Sequence, residues 1–211
     1  MNVSTAISSK NRKRKFELFL ETVKPSDTDK ILDIGFSNVE YSPVDNFLEK
    51  NYPHLSNITA LGIEKDGDDL FKQRYPEVKT VLYNGHEFPF ESNTFDVGWS
   101  NAVLEHVGDE DAQTFFLKEM NRVCKKLFFT TPNRYFPVEI HTRLPFVHWF
   151  PKKVCDRLIK LSGKVWATGN YMHLLSYAKL EKIIKKSGIT NYIIHKNRFC
   201  GFTMDFCVIK N

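Results

Sequence analysis

Cysteine is rare in this chain of 211 residues, and its spacing excludes the usual patterns of metal and disulfide chemistry. No two cysteines are separated by two residues, which is the spacing that zinc sites and redox motifs use. We therefore expect no bound metal ion and no disulfide framework. The predicted thiols are reduced and mostly buried, and they are Cys124, Cys155, Cys200 and Cys207.

Long apolar runs are also missing. No run approaches the roughly 18–20 apolar residues of a membrane-spanning helix, and residues 1–9 lack the apolar core of a secretory signal. Both absences favour a cytoplasmic protein. The composition, with 42% hydrophobic and 26% charged residues, is that of a globular protein, and the length suits a single domain over residues 1–211.

A general excess of positive charge is absent as well, although the formal net charge is +5. Five of the positive charges lie within residues 10–15, so the rest of the chain is neutral overall and offers no extended field for nucleic acid. We interpret residues 1–27 as an amino-terminal helix with a basic tail, in which the cluster is solvated or frays. The alternative is a contact with a polyanion or a membrane surface.

Short apolar runs alternate with amphipathic segments along the chain. Strands are predicted over residues 30–34, 58–63, 78–83, 94–100, 127–131, 192–195 and 204–209. Helices are predicted over residues 13–23, 44–51, 68–74, 109–126 and 176–187. This alternation indicates an α/β protein with a doubly wound, parallel sheet.

Polar side chains follow four of the predicted strands. A glycine at position 35 lets the backbone approach a ligand, and the carboxylate of Asp33 suits an ammonium group. Glu64 suits the two hydroxyls of a ribose, and the amide of Asn84 suits an adenine edge. Because ligands of open α/β sheets bind at the carboxyl ends of the strands, these groups predict a ligand crevice. The fourth strand adds Ser100 and Asn101.

Four segments, taken together, resemble class I S-adenosylmethionine-dependent methyltransferases, and in particular the small-molecule branch called type 11. The segments read ILDIGFSN at residues 31–38, LGIEKD at 61–66, NGHEFPFESNTFDVGWSNAVLEHVGD at 84–109 and FFLKEMNRVCKKLFFTTPN at 115–133. The resemblance implies a Rossmann-like, doubly wound sheet of seven strands, mostly parallel with an antiparallel last strand. It also implies S-adenosylmethionine as the cofactor.

The resemblance also assigns roles along the strand ends. Asp33 and Gly35 are expected at the methionine end of the cofactor and Glu64 at its ribose. The adenine is expected near Asn84, Gly85 and His86, and the sulfonium near Ser100 and Asn101. The full set of cofactor-binding candidates is Asp33, Gly35, Ser37, Glu64, Lys65, Asn84, Gly85, His86, Ser100 and Asn101.

The first loop departs from the family's pattern of repeated glycines. Ser37 and Val39 stand at the second and third glycine positions. We expect the small Ser37 to be tolerated, whereas Val39 should crowd or displace the loop and weaken cofactor affinity. Asn84 stands where the family often has Asp, so it brings a hydrogen-bonding amide without a charge.

About forty residues separate the fifth strand from the helix predicted at residue 176, far more than a usual connection. Long excursions from the carboxyl ends of strands are commonly binding elements or lids. We therefore expect residues 132–170 to form an insertion that supplies the acceptor pocket and closes over the cofactor, excluding water. The substrate-binding candidates are Arg134, His141, Arg143, Trp149 and His173.

A basic amphipathic helix is predicted over residues 151–165 of this insertion. The residues that repeat at helical spacing are the basic Lys153, Arg157, Lys160 and Lys164 and the apolar Val154, Leu158, Leu161 and Val165. One interpretation is a lid that packs its apolar stripe on the domain and leaves the lysines in water. The other is a surface that touches lipid or a lipid-linked substrate, which makes a peripheral membrane contact.

Methyl transfer to a hydroxyl benefits from a general base, and His106 and His141 are the predicted catalytic residues. We expect a methyltransferase that acts on a small or lipid-linked acceptor, at oxygen. The alternatives are a nucleic-acid (tRNA) methyltransferase, which the neutral body disfavours, and a non-catalytic cofactor-binding module of the same fold. A nicotinamide-dependent dehydrogenase is a further rival, but residues 35–40 lack its G-x-G-x-x-G motif.

Overall fold

The computed structural model describes residues 3–138 and 142–211, with the side chains of residues 3–5 and 170 left out. Its strands are β1 Ile31–Ile34, β2 Ile58–Ile63, β3 Lys79–Tyr83, β4 Phe95–Asn101, β5 Cys124–Pro132, β6 Tyr192–Phe199 and β7 Phe202–Lys210. Its α-helices are α1 Val3–Val23, α2 Phe47–Asn51, α3 Asp69–Arg74, α4 Glu110–Val123, α5 Lys152–Leu161 and α6 Tyr177–Lys186.

The strands form one seven-stranded sheet in the order β3-β2-β1-β4-β5-β7-β6, with the last strands antiparallel. β1 lies between β2 and β4 and is parallel to both, with Ile31 opposite Ile58 on one side and Val97 on the other. β6 and β7 meet at Cys200 and Gly201, which both have positive φ and form the tight two-residue turn of a hairpin. The predicted Rossmann-like sheet is confirmed.

Several predicted boundaries are wrong: α1 begins at Val3, β5 begins at Cys124 and β6 ends at Phe199, instead of residues 13, 127 and 195. Local structure explains two further differences. α4 ends at Val123 instead of residue 126, because Cys124 begins β5 and packs its sulfur against Gly98 of β4, where an added Cβ would lie 2.8 Å away. α5 ends at Leu161 instead of residue 165. Gly163, with φ of 80°, stops it, and the amide of Lys164 donates back to the carbonyl of Ile159.

The chain divides into two compact units. Unit 1 comprises Met1–Ser100, Glu119–Phe128 and Ile209–Asn211, and unit 2 comprises Asn101–Lys118 and Phe129–Val208. In unit 1, aromatic rings join α1 to the sheet: Phe19 lies edge-on to Trp99 and Phe128 at centroid distances of 4.9 and 5.4 Å, and Trp99 stacks on Phe128. In unit 2, a smaller cluster of Cys155, Ile159 and Ala167 underlies α5.

The basic cluster of residues 10–15 lies in the middle of α1, so it is not a frayed helix start, although its Lys10, Lys13 and Arg14 are exposed as predicted. Lys15 and Asn11 are buried, and Arg12 is half-buried. Part of the cluster is therefore packed inside unit 1. No helix in the described ranges is long and apolar enough to cross a membrane.

Replacing Phe19 by alanine should lower the free energy of unfolding by about 3–5 kcal/mol, because a fully buried ring leaves a cavity that rigid neighbours cannot fill. Urea denaturation measures this loss. Leu20→Ala is the matched control, since the next side chain along α1 is 38% exposed and should cost less than about 1 kcal/mol. Equal losses at both positions would mean that α1 does not pack through Phe19.

Candidate active site

Side chains, rather than repeated glycines, hold the loop after β1. Gly35 has φ of 97° and donates its amide to the carbonyl of Leu61 at 2.9 Å. The amide of Ser37 donates to Oδ1 of Asn46 at 2.8 Å, and Nδ2 of Asn46 donates back to the Ser37 carbonyl at 2.9 Å. The loop thus turns at one glycine and is closed by a paired amide, which leaves the exposed backbone of Gly35 accessible to a ligand.

The two residues that follow Ser37 fix the rest of the loop. Oδ1 of Asn38 accepts hydrogen bonds from the amides of Leu70 and Phe71 at 2.9 and 3.1 Å, so it caps the start of α3. Val39 is 40% exposed and its φ is not positive. The backbone at Val39 is therefore not left-handed and does not require a glycine, and the weaker cofactor affinity expected from Val39 stays a prediction.

Asp33 and Glu49 form a buried acid pair beneath this loop. Asp33 lies near the end of β1 at 6% exposure and Glu49 of α2 is 3% exposed. Neither carboxylate oxygen of Glu49 has a hydrogen-bonding partner within the described residues when both acids are ionised. Burial raises the pKa of both carboxyls, and Glu49 raises the pKa of Asp33 further, while the nearby charge of Arg12 lowers it in part. The pair therefore shares a proton.

Exposed polar groups follow β2 and β3, as predicted. Glu64 and Lys65 begin a 3-10 turn directly after β2, and both are exposed. After β3, Oδ1 of Asn84 accepts the amide of His86 at 3.0 Å across Gly85, which has φ of 86°. Part of the hydrogen-bonding capacity of Asn84 is thus used inside its own turn, while its NH2 group has no partner in the described chain. All these side chains lie at carboxyl ends of parallel strands.

Ser100 and Asn101 end β4 and use their side chains within the sheet. The buried hydroxyl of Ser100 donates to the carbonyl of Ile34 at 3.1 Å, so it ties the end of β4 to the end of β1. Oδ1 of Asn101 accepts the Thr130 hydroxyl at 2.7 Å. The Ser100 hydroxyl thus fixes this strand end through a backbone carbonyl, and the expected position of the sulfonium near Ser100 and Asn101 stays a prediction.

His106 lies in unit 2, in the 3-10 turn Leu104–His106, and it is exposed. Its Nδ1 lies 3.0 Å from the carbonyl oxygen of Tyr171, and the two rings meet edge-on at 5.3 Å. A carbonyl oxygen only accepts hydrogen bonds, so Nδ1 carries a proton, and in the neutral form of the ring the lone pair is on Nε2. This is the tautomer that a general base requires.

A cavity of about 160 Å³ lies within unit 2, between the insertion and the first turns of α4 and α6. Arg134 and His173, both predicted to bind substrate, line it. Its other polar or reactive lining groups, which no sequence motif marked, are Glu110, Gln113, His148, Lys152, Cys155 and Lys179. Arg143 and Trp149 are exposed residues of the insertion that do not line the cavity, and His141 lies outside the described residues.

Hydrogen bonds fix the two lining residues that the sequence predicted. Nε of Arg134 donates to the carbonyl of His148 at 2.8 Å and Nη2 to that of Phe150 at 2.7 Å. The amide of His173 donates to the carbonyl of Glu105 at 2.7 Å, while its buried Nε2 has no partner within the described residues. Burial, together with the charge of Lys152, lowers the pKa of His173 and keeps it neutral. The cavity therefore offers cationic groups beside a neutral imidazole.

Several residues of these sites carry no recognisable signal in the sequence, for a physical reason. Glu49 sits in a helix of five residues with no motif around it, and only the buried end of β1 brings it to Asp33. Lys179 and Gln113 belong to amphipathic helices whose lysines and glutamines normally face water. The chain gives no local signal that these helix starts face a cavity.

The acid pair predicts how stability changes with pH. The folded chain keeps a proton that the unfolded carboxyls lose near their ordinary pKa values of 3.8 and 4.5. The free energy of unfolding contributed by the pair should therefore fall as pH rises from about 4 through the raised pKa, by about 1.4 kcal/mol for each pH unit that separates the ordinary pKa from the raised one. Glu49→Gln should flatten this fall, because the amide donates to Asp33 without ionising.

Urea denaturation at a series of pH values measures the effect. Glu77→Gln is the control, because Glu77 is exposed and its substitution should leave the wild-type pH profile unchanged. A Glu49→Gln profile that parallels the wild type above pH 4 would contradict the shared proton.

Comparisons with known proteins agree with this arrangement. A family model described as "Methyltransferase domain" matches residues 32–127. A search of curated proteins gave no significant match.

Among the described residues, no group of three or more His, Cys, Asp or Glu side chains is placed to hold a metal ion.

Solved structures share the fold. An S-adenosylmethionine-dependent methyltransferase of Methanosarcina mazei is 17% identical, with a TM-score of 0.56 over 88% of this chain and 92% of that one. One from Aquifex aeolicus is 15% identical, with a TM-score of 0.54 over 95% and 96%. The Haemonchus contortus phosphoethanolamine N-methyltransferase 2, solved with phosphomonomethylethanolamine and S-adenosylhomocysteine, is 17% identical, with a TM-score of 0.56 over 87% and 38%. The match to a methyltransferase domain over residues 32–127 and the fold shared with these structures together support a class I S-adenosylmethionine-dependent methyltransferase.

Proposed function

We propose that this enzyme transfers the methyl group of S-adenosylmethionine to an oxygen atom of a small or lipid-linked acceptor. The observation that carries the proposal is the hydrogen bond from Nδ1 of His106 to the Tyr171 carbonyl, because it assigns the lone pair of a neutral ring to Nε2, on an exposed turn after β4. A hydroxyl acceptor must lose its proton during the reaction, and a neutral imidazole suits that task.

The residues of unit 1 fit the cofactor. The two buried carboxyls Asp33 and Glu49 share one proton and so keep a negative charge, which an ammonium group would compensate. Gly35 would allow close approach of the methionine end, and the exposed carboxylate of Glu64 would accept hydrogen bonds from the ribose hydroxyls. When bound, the cofactor supplies a methyl group that its sulfonium has already activated. The protein's part is to orient the partners and to receive a proton.

The cavity of unit 2 is the proposed acceptor site. Lys179 has no ion-pair partner in the described chain, and Arg134 uses two of its three guanidinium nitrogens on backbone carbonyls. Neutral His173 adds a hydrogen-bonding nitrogen inside the cavity. The segment from Tyr171 to His173 connects the proposed base to the proposed acceptor site. Its Tyr171 carbonyl binds His106, and its His173 lines the cavity. Such a site favours an acceptor with an anionic group beside its hydroxyl.

The rival functions have less support. A nucleic-acid methyltransferase would use the basic cluster of residues 10–15, but Lys15 is buried and Arg12 half-buried, and the rest of the chain is neutral overall. A non-catalytic module would retain cofactor binding without turnover, so binding and turnover measured separately distinguish it from an enzyme. The proposal also places the enzyme in the cytoplasm, because the exposed free thiol of Cys200 suits a reducing compartment.

Glu64→Ala should weaken S-adenosylmethionine binding by about 1.5–3 kcal/mol, the usual worth of hydrogen bonds to a charged group. Isothermal titration calorimetry measures the dissociation constant. Asp66→Ala, in the same exposed turn, is the matched control and should bind as the wild type does. If the dissociation constants of a folded Glu64→Ala protein and the wild type agree, the ribose does not bind at Glu64.

His106→Ala should reduce methyl transfer by about 10²–10⁴-fold, the range expected for loss of a general base, while cofactor affinity stays within about twofold. Release of S-adenosylhomocysteine is measured with a panel of hydroxyl-bearing small molecules and with lipid extracts. His195→Ala is the control, because His195 is an exposed histidine of β6. Undiminished turnover in His106→Ala would remove the base from the proposal, and binding without turnover on every acceptor would favour the non-catalytic module.

A further inference from the structure

The apolar stripe of the insertion helix faces outward. Residues 154, 158, 161 and 165 form the apolar repeat that one interpretation of the sequence packs onto the domain. In the structure Leu161 is 85% exposed, Val165 59% and Val154 40%, whereas Cys155 and Ile159 are buried. α5 therefore packs through a different face, and the interpretation of a lid that buries this stripe is wrong. Leu161 and Val165 therefore present most of their apolar surface to solvent.

Exposed aromatic side chains surround the same helix. Phe146, Trp149 and Phe150 are each exposed by 43–50%, and Trp166 by 55%. They belong to or flank the two 3-10 turns Val147–Trp149 and Val165–Ala167, and both turns contact α5. Phe146 and Trp149 pair edge-on at 4.9 Å. We call this surface, formed by the exposed side chains of residues 143–166, the insertion face. Soluble proteins rarely expose so much apolar area without a partner for it.

The insertion face is also strongly basic. Residues 142–167 contain six lysines and arginines and a single acidic residue, Asp156, which pairs with Lys152 at 2.6 Å. The basic side chains Arg143, Lys153, Arg157 and Lys160 are exposed, and none of them has an ion-pair partner in the part of the chain that is described. The net positive charge of this short segment equals that of the whole protein.

This combination selects among the partners that could cover the face. A second copy of the chain would bring two basic faces together, and like charges at an interface repel. A bilayer with anionic lipids instead offers acyl chains for leucine and valine, an interfacial layer for tryptophan, and negative headgroups for lysine and arginine. Each feature of the insertion face thus has a matching layer in an anionic membrane surface.

We propose that the insertion face binds the surface of membranes that contain anionic lipids, with α5 lying parallel to the bilayer plane. Leu161, Val165 and Trp166 enter the boundary between headgroups and acyl chains, and the basic side chains lie among the headgroups. This binding requires neither cofactor nor methyl transfer, so its test is independent of the test of the proposed function. It would bring the enzyme to the bilayer in which a lipid-linked acceptor resides.

Vesicle binding by the full-length protein tests the proposal, and tryptophan fluorescence reports it. The chain has three tryptophans, of which Trp99 is buried and Trp149 and Trp166 are exposed. Vesicles of phosphatidylcholine with phosphatidylglycerol should shift the emission to shorter wavelength and sediment the protein, whereas pure phosphatidylcholine should bind it at least about tenfold more weakly. Added salt should weaken the binding to anionic vesicles, because it screens the basic side chains.

Matched variants test whether vesicle binding depends on the insertion face or on another part of the surface. Leu161→Asp should weaken binding to anionic vesicles by about tenfold or more, and Lys153→Glu with Lys160→Glu should do the same. Leu70→Asp is the control, because Leu70 of α3 is 51% exposed and lies in unit 1. Circular dichroism checks that each variant is folded, and Trp166→Phe should remove part of the emission shift without abolishing sedimentation.

Three results would overturn the proposal. The first is no binding to anionic vesicles by the wild type. The second is equal loss in Leu70→Asp and Leu161→Asp. The third is a concentration-dependent dimer, seen by analytical ultracentrifugation without vesicle binding, that Leu161→Asp dissociates, because it would assign the face to a second copy.

Discussion

Two carboxyl groups buried side by side impose the main electrostatic constraint on unit 1. Asp33 lies in the inner strand β1, and Glu49 reaches it from α2, although neither is solvated. Such a pair is stable only if it keeps a proton or lies near a cation. The structure uses both solutions, since burial raises both pKa values and Arg12 of α1 stands close enough to act on Asp33. A cofactor ammonium group would provide a further cation at the same place.

This constraint gives one residue of the basic cluster in α1 an electrostatic role, because the charge of Arg12 lowers the pKa of Asp33 in part. The same helix packs Phe19 against Trp99 and Phe128, so one placement of α1 fixes both its apolar anchor and Arg12. The sequence showed the charge cluster, but it did not show that Arg12 acts on Asp33, because the two residues are distant in the chain.

Local patterns predicted the fold and the unit 1 strand ends well. The polar groups at Gly35, Glu64 and Asn84 follow short apolar runs that stop at polar residues, and each lies at a strand end in the structure. The glycine motif alone did not predict how the loop around Val39 is held. Hydrogen bonds to Asn46 and Asn38 fix this loop, which lacks the repeated glycines of the family.

The insertion shows a different limit. Helical periodicity correctly predicted an amphipathic helix there, but periodicity cannot say which of two apolar sets faces the protein. Cys155 and Ile159 occupy the inward positions, and the longer stripe of Val154 and Leu161 faces solvent. Which apolar set faces the protein depends on Leu144, Val147 and Ala167, which pack under α5 from segments on either side of it. Of the residues that line the unit 2 cavity, Arg134 and His173 were predicted, whereas those on the first turns of α4 and α6 were missed for the same reason.

The central claim is that the strand ends of unit 1 hold S-adenosylmethionine, and calorimetric titration of the full-length protein tests it most directly. S-adenosylmethionine and S-adenosylhomocysteine are titrated in parallel with NAD, whose ribose would also suit a carboxylate after β2. We expect one saturable site for each of the two sulfur compounds and no binding of NAD. Binding of NAD without binding of S-adenosylmethionine would contradict the claim.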